Sequence, residues 1–144
     1  VDPQYAAGHH TGFSDGFPML LLNQASLDHL SAAWGAPVDV RRFRPNLVIS
    51  GDCVAFAEDG WSSLQVGELI FDLVKPCQRC VIPTLNPDDQ QPTLGFAKFL
   101  AQHRRHADSK IYFGHNVILR QAKHITDFTK QLGQLTVGDR VDLC

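Results

Sequence analysis

The chain has 144 residues and a formal net charge of −2. This length indicates one domain that buries roughly two-thirds of its unfolded surface. This charge gives no reason to expect a nucleic acid or an anionic membrane as a partner, and no apolar run reaches the roughly 18 residues of a spanning helix. The four cysteines are too few for a disulfide scaffold. Because two of them stand three residues apart, they suit a metal or reactive site in a reducing compartment, and we expect a cytoplasmic protein.

The first half of the chain predicts a strand, a helix and a second strand. Phe17–Leu22 is an apolar run typical of a buried strand, and Asn23 is a residue type that favours helix N-caps. Apolar residues at helical spacing then predict a helix over residues 24–34, which ends at Gly35. Asn46–Ser50 is apolar and β-branched, so we expect another strand there.

The second half of the chain predicts short strands around one further helix. This helix is predicted over residues 93–106, with basic residues at its C-terminal end, where cations suit the helix dipole. The predicted strands are residues 64–75, in two segments joined by a tight turn at Gly67, Ile111–Phe113, Val117–Leu119 and Val137–Leu143. Many short strands, turn signals and two helices predict a mainly β fold with few helices, in which the helices pack outside a β-barrel.

The segment Lys75–Cys80 places two cysteines in a C-x-x-C pattern, with Arg79 directly before the second one. A thiolate ligates metals and attacks electrophiles, and neighbouring cations favour it. The chain offers no fitting set of further ligands for a structural zinc ion, and Pro83 argues against the helix that would follow a thioredoxin-like dithiol. Two interpretations stay open: an inert buried pair, or a single ligand or sulfur acceptor at Cys80 that Cys77 supports.

The segment Arg41–Asn46 is basic and is rigidified by Pro45. A charge run of this kind is usually a solvated surface. Because Asn46 opens a predicted strand, however, Arg44 and Asn46 could instead point into a barrel opening, where small ligands often bind. A planar arginine fork suits phosphate and other planar anions. Both interpretations stay open on the residues alone.

Two glycine-containing turns are further candidates for contact with a ligand. Asp15-Gly16 precedes the first strand and predicts either a plain turn or a place where backbone approaches a ligand. Gly114-His115-Asn116 falls between two short predicted strands, so a turn there could bring a histidine to a pocket. The sequence alone does not separate these possibilities.

In combination, these motifs resemble the MOSC domain family, named for the C-terminal domain of molybdenum cofactor sulfurases. The matching segments, in chain order, are Ser14–Leu27, Phe43–Gly51, Ala57–Trp61 with Val66-Gly67, Lys75–Pro87, Phe113–Asn116 and Val137–Asp139. Within the family, the sequence is most similar to bacterial hydroxylaminopurine-reducing proteins and the mitochondrial amidoxime-reducing component. The resemblance implies a MOSC-type β-barrel over residues 14–144 after a flexible segment over residues 1–13. It also implies that the chain is the C-terminal part of a longer protein.

The resemblance implies a binding site for the molybdenum cofactor. Cys80 stands where the family has its molybdenum ligand, which makes it the expected catalytic residue. The other cofactor-binding positions that the resemblance implies are Arg44, Asn46, Gln78, Arg79, Asp15 and Gly16. We expect no pyridoxal phosphate in this chain, because it contains nothing of the pyridoxal-phosphate domain of the sulfurases.

The chemistry that the resemblance implies is the two-electron reduction of N-hydroxylated compounds such as hydroxylamines and amidoximes. The cofactor performs this chemistry, while the protein supplies the thiolate, the anion site and the shape. Because no iron–sulfur segment follows Cys80, we expect a separate electron-donor protein as a partner. Two alternatives stay open: a sulfur-carrier or cofactor-delivery module that uses a Cys80 persulfide without reductase turnover, and an interaction domain that has lost its chemistry.

Overall fold

The computed structural model describes residues 16–120 and 133–143. Its strands are β1 (Met19–Asn23), β2 (Leu47–Ile49), β3 (Ser63–Val66), β4 (Leu69–Gln78), β5 (Tyr112–Leu119) and β6 (Val141–Leu143), and its helices are α1 (Gln24–Trp34) and α2 (Phe96–Arg104). The six strands form one barrel-like sheet in the order β2-β1-β5-β4-β3-β6. The predicted fold class, mainly β with few helices, is therefore confirmed. No helix in the described residues is both long and apolar enough to span a bilayer.

The sheet is antiparallel except at one edge. There β1, α1 and β2 form a crossover in which β1 and β2 run parallel, with Leu21 opposite Leu47. On its other side β1 pairs with β5, so that Leu21 also lies opposite His115. The longest strand, β4, pairs with both β5 and β3. This order puts the end of β4, which carries Cys77 and leads to Cys80, beside the start of β5.

Helix α1 has the predicted bounds, because its caps are local and readable in the sequence. The side chain of Asn23 accepts a hydrogen bond from the backbone N–H of Ala25 at 3.0 Å, which satisfies one of the free donors of the first turn. Gly35 ends the helix with a φ of 79°, a left-handed conformation that costs a glycine little. The prediction of a helix over residues 24–34 is confirmed.

The predicted strands of the first half are also confirmed, and the turn at Gly67 joins β3 to β4 with a φ of 58°. Strand β4 extends further than expected, through Pro76 and Cys77 to Gln78. The pairing of β4 with β5 shifts register on both sides of Pro76. Because proline has no N–H to donate to the ladder, the first half of the C-x-x-C segment is an irregular strand.

The two predicted strands Ile111–Phe113 and Val117–Leu119 form one continuous strand, β5, so the predicted turn at Gly114 is wrong. Gly114 has a φ of 76° inside the strand, and a Cβ atom there would lie 2.8 Å from the carbonyl oxygen of Leu21. The glycine lets β5 bend close to β1 without ending. His115, which was expected to reach a pocket from that turn, is instead 4 % exposed.

Two further element boundaries differ from the prediction. The helix predicted over residues 93–106 spans only Phe96–Arg104, because Gly95 has a φ of 82° and stands outside the helical conformation. The strand predicted over Val137–Leu143 is reduced to β6, because residues 136–139 form a turn. In this turn the N–H of Asp139 donates to the carbonyl oxygen of Thr136 at 3.1 Å.

The buried apolar residues form two clusters. One contains side chains of both helices together with Phe43 and Phe113, whose ring centroids lie 4.5 Å apart. The other contains side chains of β1 to β5, among them Leu64 and Phe71. Phe43 belongs to the basic segment that precedes β2, so its burial anchors that segment against the sheet.

Candidate functional site

Arg79 joins the basic segment to the cysteine segment. Its Nη2 donates to the carbonyl oxygen of Phe43 at 3.0 Å, and its guanidinium carbon lies 5.4 Å from the centre of the Phe43 ring. Its backbone N–H donates to the carbonyl oxygen of Ile111 at 2.8 Å. Two segments 36 residues apart are thereby held together at the start of β5.

Arg79 also contacts the first cysteine of the pair. Its Nη1 donates to the sulfur of Cys77 at 3.1 Å, and Cys77 is half-buried. The Nε of Arg79 is buried and has no hydrogen-bond partner in the described structure. An unpaired buried donor costs about 1–3 kcal/mol, so Arg79 retains a donor that a ligand could satisfy.

Cys80 is exposed, as a free thiol just beyond the end of β4. The two cysteines are therefore not a buried pair. In residues 16–120 and 133–143, no group of three or more histidine, cysteine or acidic side chains is arranged to hold a metal ion. A metal at Cys80 would then take at most two such ligands from the described residues, with its other ligands from elsewhere.

The backbone of the basic segment is strained at Arg44. Its φ is 54°, in the left-handed region, which costs a non-glycine residue of order 1 kcal/mol or more. Its side chain is exposed, and no described residue forms a hydrogen bond or ion pair with its guanidinium. Arg44 and Ile82 line one cleft, which places this free cation near the residues that follow Cys80.

Asn46 combines a structural contact with a free donor. Its Oδ1 accepts a hydrogen bond from the N–H of Leu20 at 2.8 Å, and its own N–H donates to the carbonyl oxygen of Leu20 at 2.9 Å. These bonds extend the pairing of β1 and β2. No described residue accepts a hydrogen bond from its Nδ2, so this amide nitrogen is left for a ligand.

The neighbouring arginines of the basic segment are already paired. Arg42 donates to the carbonyl oxygens of Pro83 and Leu85, at 3.2 and 2.7 Å, and so fixes the segment after Cys80. Arg41 forms ion pairs with Asp39 and Asp88, which raise the pKa of its guanidinium. The structure thus divides the predicted charge run into two paired arginines and the unpaired Arg44.

The remaining predicted site residues are less closely tied to this region. Gln78 is exposed at the end of β4, opposite Tyr112. Gly16 is exposed ahead of β1, and a Cβ atom there would meet nothing within 4 Å. Asp15 lies outside the described residues, as does the predicted flexible segment over residues 1–13.

A buried polar network behind the sheet has no counterpart in the sequence-based predictions. Glu58 is 0 % exposed. Its carboxylate accepts hydrogen bonds from the hydroxyl of Ser26 at 2.7 Å and from the Nδ2 of Asn23 at 3.0 Å. The hydroxyl of Ser26 in turn accepts from the N–H of Phe56 at 2.7 Å. These bonds join β1, α1 and the loop after β2, over separations of 30 to 35 residues that no local pattern could reveal.

A second group of charged and titratable side chains contains the buried Arg104 and His115 together with the partly exposed Asp59, which follows Glu58 in the chain. The Nη2 of Arg104 donates to both carboxylate oxygens of Asp59, at 3.0 and 2.9 Å. The Nδ1 of His115 lies 4.0 Å from Asp59 and has no hydrogen-bond partner among the described residues. Burial lowers the pKa of His115 below its ordinary value, while the nearby Asp59 opposes that shift only in part.

The sequence model of the MOSC domain matches residues 8–142 of this chain. The chain belongs to the MOSC domain family. This match spans both the basic segment and the cysteine segment, and it confirms the resemblance inferred from the motifs.

This chain is similar to mitochondrial amidoxime-reducing components. It is 42 % identical to component 1 of Homo sapiens over 76 residues, which cover 53 % of this chain and 22 % of that protein. It is 34 % identical to component 2 of Bos taurus over 88 residues, which cover 61 % of this chain and 26 % of that protein. The chain therefore spans about a quarter of the length of these relatives.

Proposed function

We propose that this MOSC domain binds the molybdenum cofactor as part of an oxidoreductase that reduces N-hydroxylated compounds. The observation that carries the proposal is the arrangement around Arg79, which holds the segment of Cys80 against the segment of Arg44. The similarity to amidoxime-reducing components supports the substrate class.

The residues at this site fit such a cofactor. The exposed thiol of Cys80 is a soft ligand of the kind that thiophilic metals prefer. The guanidinium of Arg44, the Nδ2 of Asn46 and the buried Nε of Arg79 are donors without described partners, and they suit the acceptor-rich edge of a pterin. Arginine–phosphate bonds are charge-assisted and often bidentate. We propose that Gln78, which is exposed at the end of β4, contacts the cofactor as well.

When bound, the cofactor would supply the two-electron transfer and accept the oxygen atom of the substrate. The protein would orient the residues that hold the cofactor. Arg42 fixes the segment after Cys80, and Arg79 fixes the segment before it. We further propose that Asp15 and Gly16 approach the cofactor from the N-terminal side of β1. Electrons would come from a separate donor protein, and the setting would be cytoplasmic.

A second candidate function is a sulfur-carrier or cofactor-delivery module. It is favoured by the exposure of Cys80 together with the contact between Cys77 and Arg79. A persulfide on Cys80 would be accessible to an acceptor protein, and Cys77, whose sulfur accepts a hydrogen bond from Arg79, would support it. In this case the domain would transfer sulfur without reductase turnover.

The deciding experiment compares Cys80→Ser with Cys53→Ser, since Cys53 is a half-buried free cysteine outside the C-x-x-C segment. The longest natural form of the chain is purified from a host that makes molybdenum cofactor. Molybdenum content, oxidised-pterin fluorescence and reduction of a hydroxylamine by a reduced viologen dye are then measured. Cys80→Ser should lose most bound molybdenum and all reductase activity, whereas Cys53→Ser should retain both.

Other outcomes point elsewhere. Full reductase activity in Cys80→Ser would overturn the assignment of the metal ligand. If the wild-type protein holds no molybdenum but carries cyanide-releasable sulfur that Cys80→Ser loses, the sulfur-carrier function is supported instead.

A further inference from the structure

The side chain of His115 is in an unusual setting for a buried polar group. It is 6 % exposed, yet its Nδ1 has no hydrogen-bond partner among the described residues. Buried polar atoms are nearly always paired, because an unpaired one loses its hydration without compensation. An acceptor is close at hand: a carboxylate oxygen of Asp59 lies 4.0 Å away, just beyond hydrogen-bond distance.

Asp59 is already engaged with a second cation. Both of its carboxylate oxygens accept hydrogen bonds from the Nη2 of Arg104. The Nε of Arg104 donates to the backbone carbonyl oxygen of Tyr112 at 2.8 Å, which ties α2 to β5. The other titratable group that acts on His115 is His106, beyond the end of α2. Protonated His115 would therefore share one carboxylate with a permanently charged guanidinium.

The position of His115 in the sheet connects this group to the cysteine strand. Its backbone lies opposite Leu21 of β1 on one side and Pro76 of β4 on the other. Register shifts flank Pro76 in both directions, and proline donates no ladder hydrogen bond. The pairing of β4 with β5 is therefore weakest at Pro76, which lies opposite His115 and one residue before Cys77.

We propose that Asp59, Arg104 and His115 form a proton-sensitive brace, which holds the end of β4 against β5 while His115 is neutral and loosens it when His115 is protonated. Protonation puts a second positive charge next to Arg104. Both ring nitrogens of the imidazolium are donors, and Nδ1 lies 4.0 Å from a carboxylate oxygen of Asp59. Closing the 4.0 Å gap requires Asp59 to move off Arg104 or β5 to move toward Asp59. The first movement would free Arg104, which holds the carbonyl oxygen of Tyr112 opposite Gln78 of β4. The second would shift His115 opposite Pro76, so either would disturb the pairing of β4 with β5 beside the cysteine segment.

The direction of the stability effect follows from linkage. Burial lowers the pKa of His115 in the folded protein, so below about pH 6.5 the unfolded chain binds more protons than the folded one. The contribution of neutral His115 to stability is complete above that pH. It is lost as the pH falls from about 6.5 toward the lower pKa of the folded state.

Hydrogen–deuterium exchange of the full chain at pH 7 and pH 5 tests the brace, with intrinsic exchange rates divided out. In the wild-type protein, protection of the β4 peptide should fall severalfold at pH 5. His115→Asn places an amide, which never becomes charged, near the position of Nδ1. The protection of the β4 peptide in this variant should therefore change little between the two pH values. His106→Asn removes the other nearby histidine and should behave like the wild type. If His115→Asn loses protection on acidification as the wild type does, the brace is refuted.

A second measurement does not depend on any variant folding. In an NMR titration of the wild-type chain, the amide resonance of Cys77 should shift with the same midpoint as the imidazole resonance of His115. Coincident midpoints support the brace. Separate midpoints, or a Cys77 amide that does not respond, would overturn it.

Discussion

Two polar regions of this MOSC domain are stabilised in opposite ways. The buried network of Asn23, Ser26 and Glu58 is closed to solvent, and its carboxylate is paired with donors of the chain itself. The rim formed by Arg44, Arg79 and Cys80 holds exposed or unpartnered donors and a free thiol. The polar groups of the first region stabilise the fold, whereas those of the second region are available to a ligand.

The difference is informative because both regions contain charged residues. A buried charge is tolerated only when its hydrogen bonds are complete, so Glu58 is best understood as a structural residue. Backbone strain at Arg44 brings its guanidinium no partner among the described residues. Strain of this kind gathers where ligands bind. The burial of a polar group and the completeness of its hydrogen bonds thus distinguish the two regions better than residue type does.

The largest effect is expected beside the buried network, at Gly114. In Gly114→Ala the added Cβ would meet the Leu22 side chain at 2.5 Å and the Leu21 carbonyl oxygen at 2.8 Å. The expected loss is about 4 kcal/mol of unfolding free energy, or failure to fold. Urea denaturation measures it. Gly67→Ala is the matched control: its φ is also positive, at 58°, but a Cβ meets nothing within 4 Å, so about 1 kcal/mol is expected.

A smaller loss is expected when the network loses its acceptor. Glu58→Ala leaves the Ser26 hydroxyl and the Asn23 amide without their buried partner, and about 3 kcal/mol of unfolding free energy should be lost. Thermal denaturation gives the comparison with Asp88→Ala, which removes an acidic partner of Arg41 at the exposed surface. That variant should melt close to the wild type. Equal melting shifts in the two variants would mean that burial does not distinguish these carboxylates.

Local features of the fold could be predicted from the sequence, because their causes lie within a few residues. The cap at Asn23 and the left-handed Gly35 fix α1 from either end. The motif resemblance identified the family, because several short segments recur in a fixed order. The continuous strand β5 was missed, since Gly114 resembles a turn residue. What it provides is a close approach to Leu21, 93 residues earlier in the chain.

The candidate site was predictable only in part, for the same reason. The sequence offered Arg41, Arg42 and Arg44 as one basic run. Only the structure shows that Arg42 is bound to carbonyl oxygens more than 40 residues away, so that Arg44 is left unpaired. The contact of Arg79 with Phe43 is likewise a tertiary one. Which cations are available to a ligand depends on such contacts, and no spacing rule contains them.

The smallest stability effect, and one of opposite sign, is expected at Arg44. Asparagine tolerates the left-handed conformation better than arginine, so Arg44→Asn should raise the unfolding free energy of the cofactor-free protein by about 0.5 kcal/mol. The same variant should lower molybdenum content when purified from a host that makes the cofactor. Arg41→Asn removes an equal charge from a residue without a positive φ and should show no stability gain. A loss of stability in Arg44→Asn would mean that the arginine has a structural role, and the contrast between rim and buried network would then fail at Arg44.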